Sequence, residues 1–235
     1  MKEKLKEKLK EKLLPLYENL LKNIEFNDIR PFCMEWGKNF PIEKKSGILF
    51  VGKATNGWVT NSKEIDKLFG ESCDGQIFAR EIQMIWVADP KKPYYNTSAF
   101  WRVIKRVAEI KNGNEEWYSK IAWSNLYKIS LEKGNPSGKL IEQQIEACKE
   151  ILNTEIEILN PKYVIFLTSG WENRFIETIQ LPKEKEVIWG KKYKTTGYSI
   201  NNRVYITSVH PQMKNENDHV NAILKIMEHF ESNKL

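Results

Sequence analysis

The segment "EQQIEACKEILNTEIEILNPKYVIFLTSG", residues 142–170, joins two patterns that together indicate the fold class. Its first half belongs to a stripe of apolar side chains at helical spacing that runs from Ile141 to Leu152. Pro161 ends that helix, because a proline disfavours helical backbone at the residue before it. The apolar run from Tyr163 to Thr168 then predicts a buried strand. A helix that leads into a buried strand is typical of α/β proteins.

Apolar runs of the same kind lie on both sides of this segment and predict further strands. Helical patterns separate them, which favours βαβ units and a mainly parallel sheet of four strands. Before the last run, the chain makes an excursion with a turn at Asn201-Asn202. The three additional strand candidates are Gly47 to Gly52, Ile121 to Ile129 and Val204 to Val209.

The first 46 residues predict a helical extension of one globular domain that occupies residues 47–235. The opening repeats KEKL three times and places Leu5, Leu9 and Leu13 along one stripe of a charged helix. The favoured interpretation is a surface helix that packs its leucines on the domain, and the alternative is a partner-binding or DNA-facing helix.

Composition restricts the cellular location and the partners. No apolar run approaches the ~18 residues of a membrane span, and the charged N-terminus does not resemble a signal peptide, so we expect a soluble cytoplasmic protein with no membrane partner. A net charge of +6 is compatible with a polyanionic partner, although lysine-rich proteins reach it without one. Cys33, Cys73 and Cys148 form no CxxC pair, which argues against a disulfide framework or a zinc site.

Three strand ends carry side chains suited to ligand recognition, and open α/β sheets bind ligands at such ends. The first is the loop "GKATNG" at 52–57, the second is Asn125 and the third is His210-Pro211. An asparagine offers an amide and a carbonyl side by side and can pair with a base edge, and a histidine can donate to an oxygen that gains negative charge. Each also has a structural alternative, since a buried asparagine often satisfies backbone groups and a histidine can cap a turn.

The order of the motifs resembles the uracil-DNA glycosylase superfamily, and in particular its bacterial and archaeal branches that in many members carry an iron-sulfur cluster. The motifs are "WSNLYKIS" at 123–130, "NPSG" at 135–138, the segment 142–170 and "SVHP" at 208–211, within a resemblance that runs from about Gly47 to Met213. It implies a three-layer αβα sandwich around a central, mainly parallel, four-stranded sheet, with a pocket for a base flipped out of DNA.

The resemblance implies a role for several residues in that pocket. Asn125 would read the base edge, and His210 would stabilise the oxygen of the departing base. Phe78 would stack on the base, although it also fits the apolar stripe of a helix. Gln212 and Met213 would contact the duplex, with Met213 as an apolar wedge.

The loop after Gly52 departs from the family pattern. Members place an acidic residue or an asparagine one or two positions after this glycine, where it positions water or steadies the positively charged sugar. Here those positions hold Lys53 and Ala54. Asn56 is the alternative water-positioning residue, Gly52 and Ala54 would line the base pocket, and Lys53 is interpreted as a phosphate contact.

Two further features complete the sequence-based predictions. Cys148 alone coincides with a cluster-ligand position of the family, so we expect no iron-sulfur cluster and no other cofactor.

The segment "DPKKPYYNTSAFWR", residues 89–102, places Lys91 and Lys92 beside aromatic residues. It can be interpreted as a DNA contact, in which the lysines bind phosphate and the aromatic residues stack on bases, or as a lysine-rich surface loop. The segment "GKKYK" at 190–194 allows the same two interpretations.

The leading hypothesis is a DNA glycosylase-like enzyme that hydrolyses the N-glycosidic bond of a damaged or deaminated base, with single- or double-stranded DNA as its partner. The first alternative is a catalytically silent member that binds a nucleobase or nucleic acid. The second is an α/β hydrolase of free nucleotides or nucleosides, which would show little salt-dependent affinity for DNA.

Overall fold

The computed structural model describes residues 2–41, 46–57, 84–89, 91, 97–176 and 184–232. Within these ranges the chain forms four α-helices and nine strands. None of the helices described is long and apolar enough to cross a membrane. The helices are α1 (Lys2–Lys22), α2 (Ala99–Asn112), α3 (Lys139–Leu159) and α4 (Glu216–Ser232). The strands are β1 (Ile29–Pro31), β2 (Glu35–Trp36), β3 (Ile48–Gly52), β4 (Ile121–Asn125), β5 (Ile129–Leu131), β6 (Tyr163–Leu167), β7 (Lys185–Trp189), β8 (Tyr193–Ile200) and β9 (Arg203–Ser208).

The chain divides into two compact units whose segments alternate along the sequence. Unit one comprises Met1–Glu35, Gly52–Glu81 and Ser124–Asn160. Unit two comprises Trp36–Val51, Ile82–Trp123 and Pro161–Leu235. The sequence-based division into an extension at 1–46 and a domain at 47–235 stays a prediction.

The chain forms a mixed sheet of seven strands in the order β2-β4-β3-β6-β9-β8-β7. Strands β3, β6 and β9 are parallel neighbours, and β7, β8 and β9 are antiparallel neighbours. Every residue of β3, β4 and β6 is buried, which is typical of strands covered on both faces. The α/β fold class is therefore confirmed.

The sheet differs from the sequence-based prediction in having seven strands rather than four. The excursion before the last strand forms β7 and β8, and its turn at Asn201-Asn202 has positive φ at both residues, as a tight hairpin requires. On the other side, β2 adds a further strand. The predicted strand Ile121–Ile129 is interrupted after Asn125, and β5 pairs with β1 in a separate two-stranded sheet.

In unit one, α1 packs with α3. Leu9 and Leu13 are fully buried, as the leucine stripe predicts, whereas the side chain of Leu5 lies outside those that are described. The Tyr17 hydroxyl donates to the Phe32 carbonyl oxygen at 2.7 Å. The KEKL helix therefore contributes to the core of its unit.

A buried ion pair lies at the centre of unit one. Lys128 Nζ donates to Glu155 Oε2 at 2.8 Å and to Ser124 Oγ at 2.6 Å, and Ser124 Oγ donates to the same glutamate oxygen at 2.6 Å. Neither Lys128 nor Glu155 has exposed side-chain surface. Burial raises the pKa of Glu155, while the Lys128 ammonium and the two hydrogen bonds oppose that rise.

Removing one partner of this pair is expected to leave an uncompensated charge in the core. Lys128→Met should lower the free energy of unfolding by about 3–5 kcal/mol, whereas the double variant Lys128→Met, Glu155→Leu should recover most of that loss. Urea unfolding measures both values. The partly exposed pair of Lys149 and Glu146 is the control, and Lys149→Met should cost less than about 1 kcal/mol. Equal losses in the single and double variants would contradict this account.

Candidate functional site

The loop that follows β3 is joined by backbone hydrogen bonds to the segment that follows β4. The Gly52 carbonyl accepts from the Leu126 N–H and the Lys53 carbonyl from the Tyr127 N–H, each at 2.9 Å. These bonds lie beyond the last residue of β4 and account for the interruption of the predicted strand. They fix the loop after β3 against the segment after β4 within unit one.

The second half of this loop is held by side chains. The hydroxyls of Thr55 and Ser130 are 2.8 Å apart, and Asn56 Oδ1 accepts the Gly134 N–H at 2.6 Å. Gly57 has a φ of +75°, and a Cβ there would lie 2.4 Å from the Glu132 carbonyl oxygen. One lone pair of the Asn56 carbonyl is thus used structurally, and the water-positioning role of Asn56 stays a prediction.

Asn125 ends β4 as a buried amide whose donor is not used. Its side chain is 1% exposed, and Nδ2 has no hydrogen-bond partner among the described residues. An unsatisfied buried donor costs about 1–3 kcal/mol, so native proteins retain one rarely and usually for a ligand or a water. Its chain neighbour Ser124 binds the buried ion pair, which fixes the backbone from which the amide projects.

His210 follows β9 in unit two and makes three contacts with neighbouring residues. Its backbone N–H donates to Ser169 Oγ at 2.7 Å, and its Nδ1 accepts the Gln212 N–H at 3.3 Å. The ring stacks on Phe100 with centroids 5.9 Å apart. Because Nδ1 accepts, the neutral ring carries its proton on Nε2, which is the atom that can donate to an oxygen.

A chain of buried polar side chains supports the end of β9. Trp189 Nε1 donates to Thr195 Oγ1 at 3.0 Å, that hydroxyl lies 2.8 Å from Ser208 Oγ, and Ser208 Oγ lies 2.8 Å from His219 Nε2. An indole N–H only donates, so the chain is satisfied throughout when each hydroxyl donates onward and His219 accepts at Nε2. The proton of His219 then lies on Nδ1, which has no partner within the described part of the chain. Burial, His210 and Lys214 together lower the pKa of His219 to about 3.

The remaining predicted contact residues lie at exposed positions or outside the described residues. Met213 is 92% exposed with a φ of +58°, and its neighbour Gln212 is also exposed. Lys91 is exposed, and its backbone N–H donates to Asp89 Oδ1 at 2.8 Å. Phe78 and Lys92 lie outside the described residues.

No metal centre is present among the described residues, since they contain no group of three or more histidine, cysteine or acidic side chains placed to hold an ion. Cys33 and Cys148 are buried thiols that form no disulfide within the described ranges, and Cys73 lies outside those ranges. The Cys148 sulfur accepts the Lys128 N–H at 3.3 Å, and burial raises the pKa of its thiol to about 12. Cys148 therefore has a structural role in the core of unit one.

No protein-family model matches the chain, and no curated protein is significantly similar to it. The resemblance to the glycosylases therefore depends on the motifs in the sequence.

The depressed pKa of His219 predicts a loss of stability in acid. The unfolded chain binds a proton at this residue below about pH 6.5, whereas the folded chain does so only near pH 3, so acid favours unfolding between these values. The stability difference at this site should reach about 4 kcal/mol at pH 3. Urea unfolding from pH 7 to 4 should show a steeper decline for the wild type than for His219→Gln. His229→Gln is the control and should keep the wild-type decline; identical slopes in wild type and His219→Gln would contradict the prediction.

Proposed function

We propose that this chain recognises a nucleobase through Asn125 and hydrolyses its N-glycosidic bond in DNA, in the manner of the uracil-DNA glycosylases. The observation that carries the proposal is the amide donor of Asn125, which is buried at the end of β4 and has no hydrogen-bond partner in the described part of the chain. A base carbonyl placed against this donor would satisfy it. A flipped uracil-type base offers such a carbonyl beside a ring N–H, which would pair with the asparagine's own carbonyl.

The choice of a base as ligand is favoured by the rigidity of Asn125. A site whose buried polar groups must be matched by a ligand rejects ligands that leave them unpaired. That discrimination requires a fixed amide, and the hydrogen bonds of Ser124 to Lys128 and Glu155 hold the adjacent backbone. The loop from Gly52 to Asn56 is similarly fixed to the segment after β4.

The role proposed for His210 is stabilisation of the departing base. Its Nδ1 accepts a hydrogen bond, so the neutral ring presents its proton at Nε2. A donor of this kind lowers the energy of an oxygen that becomes negative as the glycosidic bond breaks. The exposed Met213 supports the proposed wedge, because an unbranched apolar side chain can enter between base steps. A glycosylase-type αβα topology is part of this proposal, and the parallel set β3, β6 and β9 supports it.

A second candidate function is nucleobase binding without hydrolysis. It is favoured by Lys53 and Ala54, which stand where the resemblance predicts an acidic residue or an asparagine. Neither can activate water, and a lysine near a sugar that gains positive charge is unfavourable unless it contacts phosphate. In that case Ala54→Asp should produce glycosylase activity in a pocket that already binds the base.

The test is incubation of the protein with labelled oligonucleotides that carry uracil, hypoxanthine or xanthine, followed by alkali to cleave abasic sites. Strand breaks are expected with at least one base, and Asn125→Ala and His210→Ala should each reduce their rate at least 100-fold, because each removes a donor used in the reaction. Asn153→Ala, at an exposed position of α3, and His229→Ala are the matched controls and should keep wild-type rates.

The outcomes separate the two candidate functions. No breaks, together with base-dependent binding that Asn125→Ala abolishes, would favour the silent binder. Neither breaks nor base-dependent binding, in the wild type or in Ala54→Asp, would contradict both.

A further inference from the structure

The hairpin of β7 and β8 presents lysines at its tip. Trp189 and Tyr193 face each other across the two strands, and three residues connect them. Gly190 and Lys191 adopt positive φ values of 50° and 70°, which reverses the chain tightly. Lys191 and Lys192 are both exposed there.

Two lysines from different segments converge on the ring of Tyr193. Lys192 Nζ lies 5.7 Å from the ring centroid, and Lys214 Nζ lies 5.1 Å from it. Lys214 belongs to the turn after His210, where its ammonium also donates to the Gln212 carbonyl at 3.0 Å. The tip of the hairpin therefore lies beside the turn that carries Met213.

No carboxylate of the described residues pairs with the ammonium groups of these lysines. Among the described residues, Lys191, Lys192 and Lys214 form no ion pair, whereas Lys194 on the same hairpin pairs with Glu186 at 3.3 Å. Like charges that share one ring repel each other, and a bound polyanion would relieve that repulsion. We call Lys191, Lys192 and Lys214 the hairpin patch.

The hairpin patch stands on a fixed aromatic support. Tyr193 contacts Trp189 with ring centroids 5.0 Å apart, and Trp189 stacks on the buried His219 at 4.6 Å. The Trp189 indole also donates to Thr195. A preorganised support reduces the ordering cost of binding, which favours contact with an extended ligand.

We propose that the hairpin patch contacts the phosphate backbone of the nucleic acid and that the three lysines each neutralise about one phosphate. This inference rests on the proposed function, because it identifies where unit two contacts the DNA that carries the base. A phosphodiester backbone suits the patch better than an acidic peptide, because its charges repeat at regular intervals and its bases can contact neighbouring aromatic and apolar side chains.

The test is the salt dependence of binding to an undamaged 20-mer duplex, measured by fluorescence anisotropy between 50 and 200 mM NaCl. Because each phosphate contact contributes a slope of about −0.9 in log K against log salt, the triple variant Lys191→Gln, Lys192→Gln, Lys214→Gln should reduce the slope by about 2–3. The matched control is Lys8→Gln, Lys10→Gln, Lys12→Gln, which removes the same charge from exposed positions of α1. This control should change the slope by less than one.

The result is independent of base recognition, since the duplex carries no damaged base. A failure of the glycosylase assay alone would leave the hairpin patch supported. Equal slopes in wild type and hairpin variant, equal losses in both lysine triples, or no salt-dependent binding by the wild type would each overturn the inference. Displacement of the duplex by poly-glutamate as effectively as by unlabelled duplex would also overturn it, in favour of an acidic protein partner.

Discussion

Lys128 and Glu155, two side chains with no exposed surface, form the interaction on which the arrangement of unit one depends. An ion removed from water loses hydration worth several kcal/mol, so such a pair persists only where hydrogen bonds fix its geometry. Here Ser124 supplies that geometry, because it binds both partners at 2.6 Å. The next residue is Asn125, whose amide donor is not used by any residue that the structure describes. A charged contact deep in the core therefore orients the residue that we propose to recognise the base.

The two units support their functional residues by different physical means. In unit one, an ion pair and backbone bonds hold Asn125 and the loop after Gly52. In unit two, a neutral chain from Trp189 to His219 supports the end of β9, and the turn with His210 follows directly. A neutral support suits that turn, because a protonated His219 would be buried and would lie near the Lys214 ammonium, consistent with the lowered pKa of His219. Both arrangements provide preorganisation, which is a requirement for discrimination by hydrogen bonds.

The sequence predicted β3, β6 and β9 to within one or two residues at their ends. In β3 and β6 the signal is a continuous apolar run, which is typical of a fully buried strand. The sequence did not predict β7, whose pattern of exposed and half-buried side chains resembles that of a polar loop. The break after Asn125 was also missed, since the buried Leu126 and Tyr127 continue the apolar run although they bond to the loop after β3.

The sequence only partly indicates the buried polar residues that hold the candidate site in place. Glu155 falls on the apolar face of α3, between Leu152 and Ile156, and Lys128 lies within an apolar run. A charge in such a place indicates a buried partner, but the partner's identity requires the tertiary structure, because the two residues are 27 positions apart. His219 is likewise a polar residue among the buried apolar residues of α4.

The central claim is that the Asn125 amide is held for a base carbonyl. The most direct measurement is the NMR resonance of its side-chain amide, assigned from its absence in Asn125→Asp, during titration with a single-stranded oligonucleotide that carries one uracil. The account predicts a downfield shift of the amide protons that saturates with binding and is absent with an abasic oligonucleotide of the same sequence. An amide resonance that stays unchanged while the protein binds the uracil oligonucleotide would contradict it.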